Sequence, residues 1–456
     1  MSVRSDPGAC PYCGGAAIDG LGASGTCGAF VCLYRRFCGS APPATAGGLG
    51  SRPRRDAGRA AERAAADEEA SVVPGVGSRS SRVLRSRPWA DPTRVRRIAV
   101  VRPGQLGDLL LAMPGMRALK RRFPQAEITL LARPWALGLA ERFPYMDRVV
   151  AVREPRESEA QFEGSEAGDH PSLEVGGSRY DLVLQIQGDA PHSARFALAL
   201  GGRATVGFCR DEGVGRRFDL LLPMVETEPE VLRVLRLVHA LGGEPDGVHL
   251  EFPLLPRDLA ELEGMRAAEE PLRRHPLVAI HPGARAPARR WPLDRFAEVV
   301  RVLHCRWQAA VVLVGGGDEA PLAEDVRSRS GVPAVNLAGR LSLGGLAALL
   351  SAVDLFVGND SGPAQLAAAV APRSVRIFGP ANLRRWAPLD RSSHRIAYRR
   401  VGCSPCDHWE CPIDHRCLRW VGVEEVLAEV DSLMLEAGVP PSGSVSALLP
   451  TPSPRG

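Results

Sequence analysis

From residue 94 onward, short runs of β-branched and small apolar residues alternate with stretches in which apolar side chains recur every three to four positions. Runs at 98–101, 127–132, 149–152 and 180–187 have the composition of strands buried on both faces. Between and after them, 108–119 (with Leu109, Leu110, Met113, Met116 and Leu119), 135–142, a stretch after Gly188 running through Ala199, and 231–241 carry helical spacing. The pattern repeats further on. Strands are expected at 277–280, 310–314, 354–357 and 374–378, the last closing its sheet, and helices at 293–307, 322–328, 341–351 and 364–370. Strand and helix in strict alternation force parallel strands with crossover helices. The expected fold is therefore α/β: two doubly wound Rossmann-like domains, 94–256 and 257–420, facing each other across a cleft at the carboxyl ends of their strands.

Flanking segments lack this periodicity. Residues 1–50 hold Cys10, Cys13, Cys27 and Cys32, a C-x2-C and C-x4-C spacing suited to structural zinc; a leader without structure is the other reading. Residues 51–93 read as a disordered linker ending in an Arg cluster, which is either solvated or rests on an anionic membrane surface. The polar stretch 153–179 reads as a mobile loop, and 438–456, rich in Pro and Ser, as a disordered tail.

Charge narrows the chemistry. The formal charge is +5 over 456 residues, and no basic stripe is interleaved with aromatics, so nucleic acid is not an expected partner. Lys120 is the sole lysine, which removes mechanisms that need one unless Lys120 supplies it. With no long apolar run and no signal-like start, a cytoplasmic protein is expected, its eleven cysteines thiols or metal ligands rather than disulfides.

Three places carry candidate chemistry. After the first strand, Gly104 and Gly107 admit close backbone approach, and Asp108 follows at the start of a helix, as a reacting carboxylate or as an ordinary helix cap. At 358–363, Gly-Asn-Asp-Ser-Gly-Pro delivers a helix N-terminus suited to a diphosphate, with Ser361 able to donate to phosphate oxygen. The pair Arg289 and Arg290 beside Trp291 supplies fixed cations on another strand-end loop. A second thiol set, Cys403, Cys406, Cys411 and Cys417, with His408 and His415 inside it, again suits a tetrahedral site; a structural knot with or without zinc is the expectation.

Taken together, residues 97–420 resemble glycosyltransferase family 9, the bacterial heptosyltransferases of lipopolysaccharide assembly. The resemblance rests on Gly-Gln-Leu-Gly-Asp108, on His281-Pro-Gly-Ala with Arg290-Trp-Pro292, on Asn336-Leu-Ala-Gly-Arg340, and on the 358–363 turn with Phe378-Gly-Pro380. It implies a GT-B fold, an acceptor-binding first domain, a second domain that binds a nucleotide sugar, usually ADP-heptose, and inversion without a catalytic cofactor or metal. Independently, the chain has no Asp-x-Asp pair. It further implies Asp108 as the base, with Gly283, Arg289, Asn336, Asp360, Ser361, Gly362 and Gln365 on the donor side and Gly107 and Gln187 on the acceptor side. A last helix within 421–437 would pack back on the first domain, and peripheral contact with the inner membrane is expected. Two positions depart from the family pattern: Gln365 stands for a frequent histidine, and Gln185 for a common aspartate. A transferase or epimerase using another nucleotide sugar, or a non-catalytic binding module, are the competing readings; the binding module predicts that Asp108→Ala leaves function intact.

Overall fold

The computed structural model describes residues 87, 89–152, 180–370 and 373–441. The leader thiols Cys10, Cys13, Cys27 and Cys32, most of the linker, the 153–179 loop and most of the tail lie outside the described residues.

The first sheet contains β1 (Arg97–Val101), β2 (Glu127–Ala132), β3 (Arg148–Ala151), β4 (Leu182–Gln185), β5 (Ala204–Gly207) and β6 (Leu220–Leu221), in the order β3-β2-β1-β4-β5-β6. The second contains β7 (Leu277–His281), β8 (Ala310–Leu313), β9 (Val335–Asn336), β10 (Leu355–Asn359), β11 (Ser374–Phe378) and β12 (His394–Tyr398), in the order β12-β11-β10-β7-β8-β9. Every pairing is parallel. Counted from the first strand of each sheet, the two orders are the same, and the chain reverses direction between β1 and β4 and again between β7 and β10. Those switch points leave crevices at the strands' carboxyl ends, where ligands of open α/β sheets bind.

Among the described residues, the α-helices longer than one turn are α1 (Leu106–Arg122), α2 (Pro191–Ala199), α3 (Glu230–Ala240), α4 (Pro256–Ala268), α5 (Leu293–Trp307), α6 (Ala320–Ser330), α7 (Leu343–Ser351), α8 (Gly362–Val370) and α9 (Val423–Glu436). One apolar cluster runs through both sheets: Ile98, Leu110, Val234 and Leu237 belong to the same buried body as Leu277, Phe356 and Leu366. The halves share core as well as facing each other. Arg142 and Asp258, both buried, add an ion pair across that joint at 2.9 Å.

Several expectations need correction. The stretch after Pro134 winds as a 3-10 helix over Pro134–Leu139 rather than an α-helix over 135–142. The second sheet does not close at 378: β12 follows at its edge, half-buried, and its sequence His-Arg-Ile-Ala-Tyr lacks the continuous apolar run of an interior strand. The last helix does not pack on the first domain. Val426, Leu427, Val430, Leu433 and Met434 of α9 sit in the core of the second sheet with Val278 and Val357, and Asp431 accepts from Trp307 Nε1 of α5 at 3.1 Å. An amphipathic stripe states that a helix packs; which apolar face it meets is decided by the remainder of the chain.

Candidate active site

At the first switch point, α1 begins at Leu106, so Gln105 is the N-cap and Asp108 the third helical residue. Asp108 Oδ2 accepts from the Gln105 backbone N–H at 2.7 Å, while Oδ1 stands 3.9 Å from Arg102 Nη2; the side chain is 23% exposed. Asp108 therefore does cap its helix, with one oxygen, and keeps the other out of that cap, within reach of Arg102. Behind it, the buried Arg102 donates to the Asp108 carbonyl from Nε and Nη2 (3.2 and 3.0 Å), to Glu230 Oε1 (2.8 Å) and to the Ile186 carbonyl. Burial alone would raise Glu230, but Arg102, Arg233 and Arg385 outweigh it and hold the carboxyl down at about 2. These charges lock the β1 and β4 strand ends to α3.

At the second switch point, β7 ends at His281 and β10 at Asn359. Asn359 is buried and spends its amide on the neighbouring loop: Oδ1 accepts from Trp291 N (2.9 Å), and Nδ2 donates to the Pro282 and Gly283 carbonyls (2.9 and 3.0 Å). That loop carries Arg289, 35% exposed, whose Nη1 lies 4.0 Å from Asp360 Oδ2. Asp360 is buried, and desolvation pushes it up to about 6 against the pull of Arg289 and Arg376, with Asp108 adding to the rise. The Asp108 carboxylate, from the opposite sheet, is thus within electrostatic reach of Asp360. His281 Nδ1 meets Ser361 Oγ at 3.1 Å, and its Nε2 meets Glu319 Oε2 at 2.9 Å.

The two crevices close on each other. A Cβ added to Gly107 would come within 3.2 Å of Gln365 Cγ and 3.7 Å of Gly362 Cα, and one added to Gly362 within 3.3 Å of Leu106 Cβ. The N-termini of α1 and α8 abut, glycine to glycine. Arg385 Nε donates to Glu230 Oε2 at 2.8 Å, and Asn382 Nδ2 to the Glu226 carbonyl at 3.0 Å, so the loop after β11 also ties the lobes together.

Of the expected site residues, Asp108, Gly107, Arg289, Asp360, Ser361, Gly362 and Gln365 meet here. Gln365 Nε2 donates to the Trp386 carbonyl at 3.0 Å. Gly283 flanks the cation loop, and its lack of a side chain makes room for Glu319. Gln187 stands just past the β4 end, its N–H held by Gln185 Oε1 at 2.7 Å. Asn336 is elsewhere, on the outermost strand β9, with its side chain spent on the Ala320 carbonyl, on Glu324 of α6 and on Ala338 N. Lys120 is bound to the Ala126 carbonyl and Asp147 at the far end of α1, both 2.8 Å. Sequence reading assigned no role to Arg102, Glu230, Glu319, Asn359 or Arg376. His281 was visible in its motif, but its partners are 38 and 80 residues away and no local spacing reveals them.

Cys403, Cys406, Cys411 and Cys417 are free thiols that line one pocket with His415. Burial, followed by the charges of the other three cysteines, pushes Cys417 up to about 11. Among the described residues no three His, Cys, Asp or Glu side chains converge closely enough to hold an ion. The thiol loop braces the cation loop at both polar groups of one residue: Ala288 N donates to the Trp409 carbonyl (3.1 Å), and His415 Nε2 lies 2.6 Å from the Ala288 carbonyl.

Two parallel sheets of equal strand order that meet at their switch points define the GT-B fold of glycosyltransferases. The family model for glycosyltransferase family 9 (heptosyltransferase) matches residues 173–416. Lipopolysaccharide heptosyltransferase 2 of Salmonella typhimurium is 27% identical over 379 residues, covering 75% of this chain and 100% of that protein. Lipooligosaccharide heptosyltransferase 2 of Campylobacter jejuni is 22% identical over 340 residues, covering 73% and 97%. Among solved structures, a family 9 glycosyltransferase from Veillonella parvula superposes with a TM-score of 0.61 at 19% identity, over 75% of this chain and 98% of that one. ADP-heptose lipopolysaccharide heptosyltransferase II of Escherichia coli gives 0.56 at 22%, over 75% and 99%. The chain belongs to glycosyltransferase family 9.

Proposed function

We propose that this protein transfers heptose from ADP-heptose, with inversion, to a hydroxyl of a lipopolysaccharide- or lipooligosaccharide-core acceptor. The observation that carries the reading is the meeting of Asp108, from the first sheet, with Asp360, Ser361 and Arg289, from the second, where the two helix N-termini touch. The donor's diphosphate lies at the α8 N-terminus, where unpaired N–H groups and the helix dipole favour anions. Arg289 is a permanent countercharge to the diphosphate as it departs. Asp360 takes sugar hydroxyls rather than phosphate, since a carboxylate beside phosphate would repel it. Asp108 accepts the acceptor's proton through Oδ1 as that oxygen attacks the anomeric carbon. Names of the relatives support the donor and acceptor classes.

Release of ADP from ADP-heptose in the presence of core acceptor tests this, with UDP- and GDP-sugars as comparison donors. Asp108→Asn is expected to cut kcat by about 10²–10⁴, the range of general-base catalysis, while ADP affinity stays unchanged. Equal turnover by this variant removes Asp108 from the chemistry.

For the thiol set, the reading is a structural knot that braces the cation loop, supported by four free cysteines around one pocket and by the two hydrogen bonds to Ala288. Metal analysis of purified protein decides between a knot with zinc and one without; no step of the transfer runs through it. No helix among the described residues is long and apolar enough to cross a membrane. The acceptor class would have the enzyme work on the cytoplasmic side at the inner-membrane surface, which fractionation tests.

A further inference from the structure

We infer that Glu319, His281 and Ser361 form a proton relay: when a diphosphate reaches the α8 N-terminus, His281 takes one proton from solvent, and the Ser361 hydroxyl is thereby turned into a donor toward phosphate. The inference rests on the reading above that the donor's diphosphate sits at that helix end.

The geometry fixes the hydrogens. Glu319 is held rigidly: Gly316 N donates to its Oε2 at 2.9 Å, and a Cβ on Gly283 or Gly315 would meet its carboxyl oxygens at 2.0 or 2.8 Å. Two glycines thus make the cradle in which this carboxylate lies. Burial alone would raise Glu319, but the hydrogen bond from His281, the Gly316 N–H and Arg290 outweigh it and keep the carboxyl below its usual range. An ionised carboxylate only accepts, so the His281 nitrogen facing it, Nε2, carries hydrogen.

The state of Nδ1 then decides what Ser361 offers. In the neutral ring Nδ1 is bare and accepts the Ser361 O–H across 3.1 Å, which leaves Ser361 lone pairs toward the helix end and an arriving phosphate. In the protonated ring Nδ1–H donates to Ser361 Oγ, and the hydroxyl hydrogen is free to point at a phosphate oxygen. Ser361 stays neutral in both states; the single proton gained by His281 returns to solvent when the nucleotide leaves. His281 is 1% exposed, so its charge, between Glu319 and the bound anion, is weakly screened. Other charges face this group: Arg290 beside Glu319, and Asp360 with Arg289 beside Ser361. His281 is a positioning residue in this scheme, acting on the donor through Ser361.

Calorimetry of ADP binding to the full chain, between about pH 6 and 8.5 and in buffers of differing ionisation enthalpy, counts the protons. ADP titrates its own terminal phosphate in this range, so the readout is wild type minus His281→Gln. The expected result is extra proton uptake by the wild type, with its affinity advantage growing on acidification by up to about tenfold per pH unit. Ser361→Ala is expected to abolish that difference and to weaken ADP by roughly tenfold. Glu319→Gln, of equal size in the same cradle, serves as the second variant and is expected to reduce uptake as well. Equal proton counts in wild type, His281→Gln and Glu319→Gln overturn the relay. Full uptake persisting in Ser361→Ala overturns it too, since a bare charge would then suffice. ADP binding with no such difference sinks the relay alone, whereas no ADP binding at any pH sinks the donor reading and the relay together.

Discussion

Asp360 destabilises the fold at neutral pH. Its folded-state value, pushed up to about 6 by desolvation, stands above the ordinary 3.8, so between those values the folded chain binds more protons than the unfolded one. Stability therefore falls as pH rises from about 4 through about 6 and stays lower above it, by about 3 kcal/mol for a rise of roughly two units. Asp360→Asn is expected to raise unfolding free energy at pH 7.5 by up to that amount and to leave it unchanged at pH 4, while donor turnover collapses; denaturant titrations at the two pH values measure it. A buried carboxylate kept at such a cost is what a binding or catalytic position looks like. Arg376, fully buried on β11 with none of its three guanidinium nitrogens hydrogen-bonded among the described residues, belongs to the same electrostatic arrangement. Its side chain gives no sign in the sequence, where Ser-Val-Arg-Ile-Phe reads as a strand with one charged position.

At the scale of elements, α3 is tied to β1, β4 and the loop after β11 through one carboxylate. Glu230, held down at about 2, contributes stability that is present above its ordinary 4.5 and lost as pH falls toward 2. Glu230→Gln leaves Arg102, Arg233 and Arg385 without their shared counter-ion and is expected to cost about 3–5 kcal/mol, read as a fall in thermal midpoint at pH 7. What the sequence showed and hid follows from range. Interior strands such as β1 and β7 are legible because both faces are buried and four apolar residues run unbroken. β12 is hidden because an edge strand needs no such run, and β9 because it is only two residues long. The segment after Pro134 carries helical spacing, yet proline at its start and Gly138 inside it favour tighter winding. Motif residues Asp108, Asp360 and Ser361 were findable because a strand end, a glycine and a helix start are local signals. The Glu319–His281–Ser361 chain was not, since it exists only once β7 and β10 are neighbours in the sheet.

For the whole molecule, the joint at Gly107 and Gly362 decides whether the halves meet at catalytic distance. Gly107→Val places branched methyls where even a Cβ stands 3.2 Å from Gln365. Its expected effect is a fall in kcat of about a hundredfold, the scale of a 1 Å misplacement, with a lowered thermal midpoint as well, since Leu109, Leu110 and Leu366 on the same two helix ends belong to the shared core. Steady-state kinetics beside differential scanning calorimetry separates the two.

That same joint brings together the positive poles of two helices, one of 17 residues and one of nine. Two like poles so close repel, and the carboxylates of Asp108 and Asp360, one on each side of the joint, offset that repulsion. Dissolved salt screens such charges, so ionic strength is expected to act on the joint itself as well as on the affinity for any charged ligand.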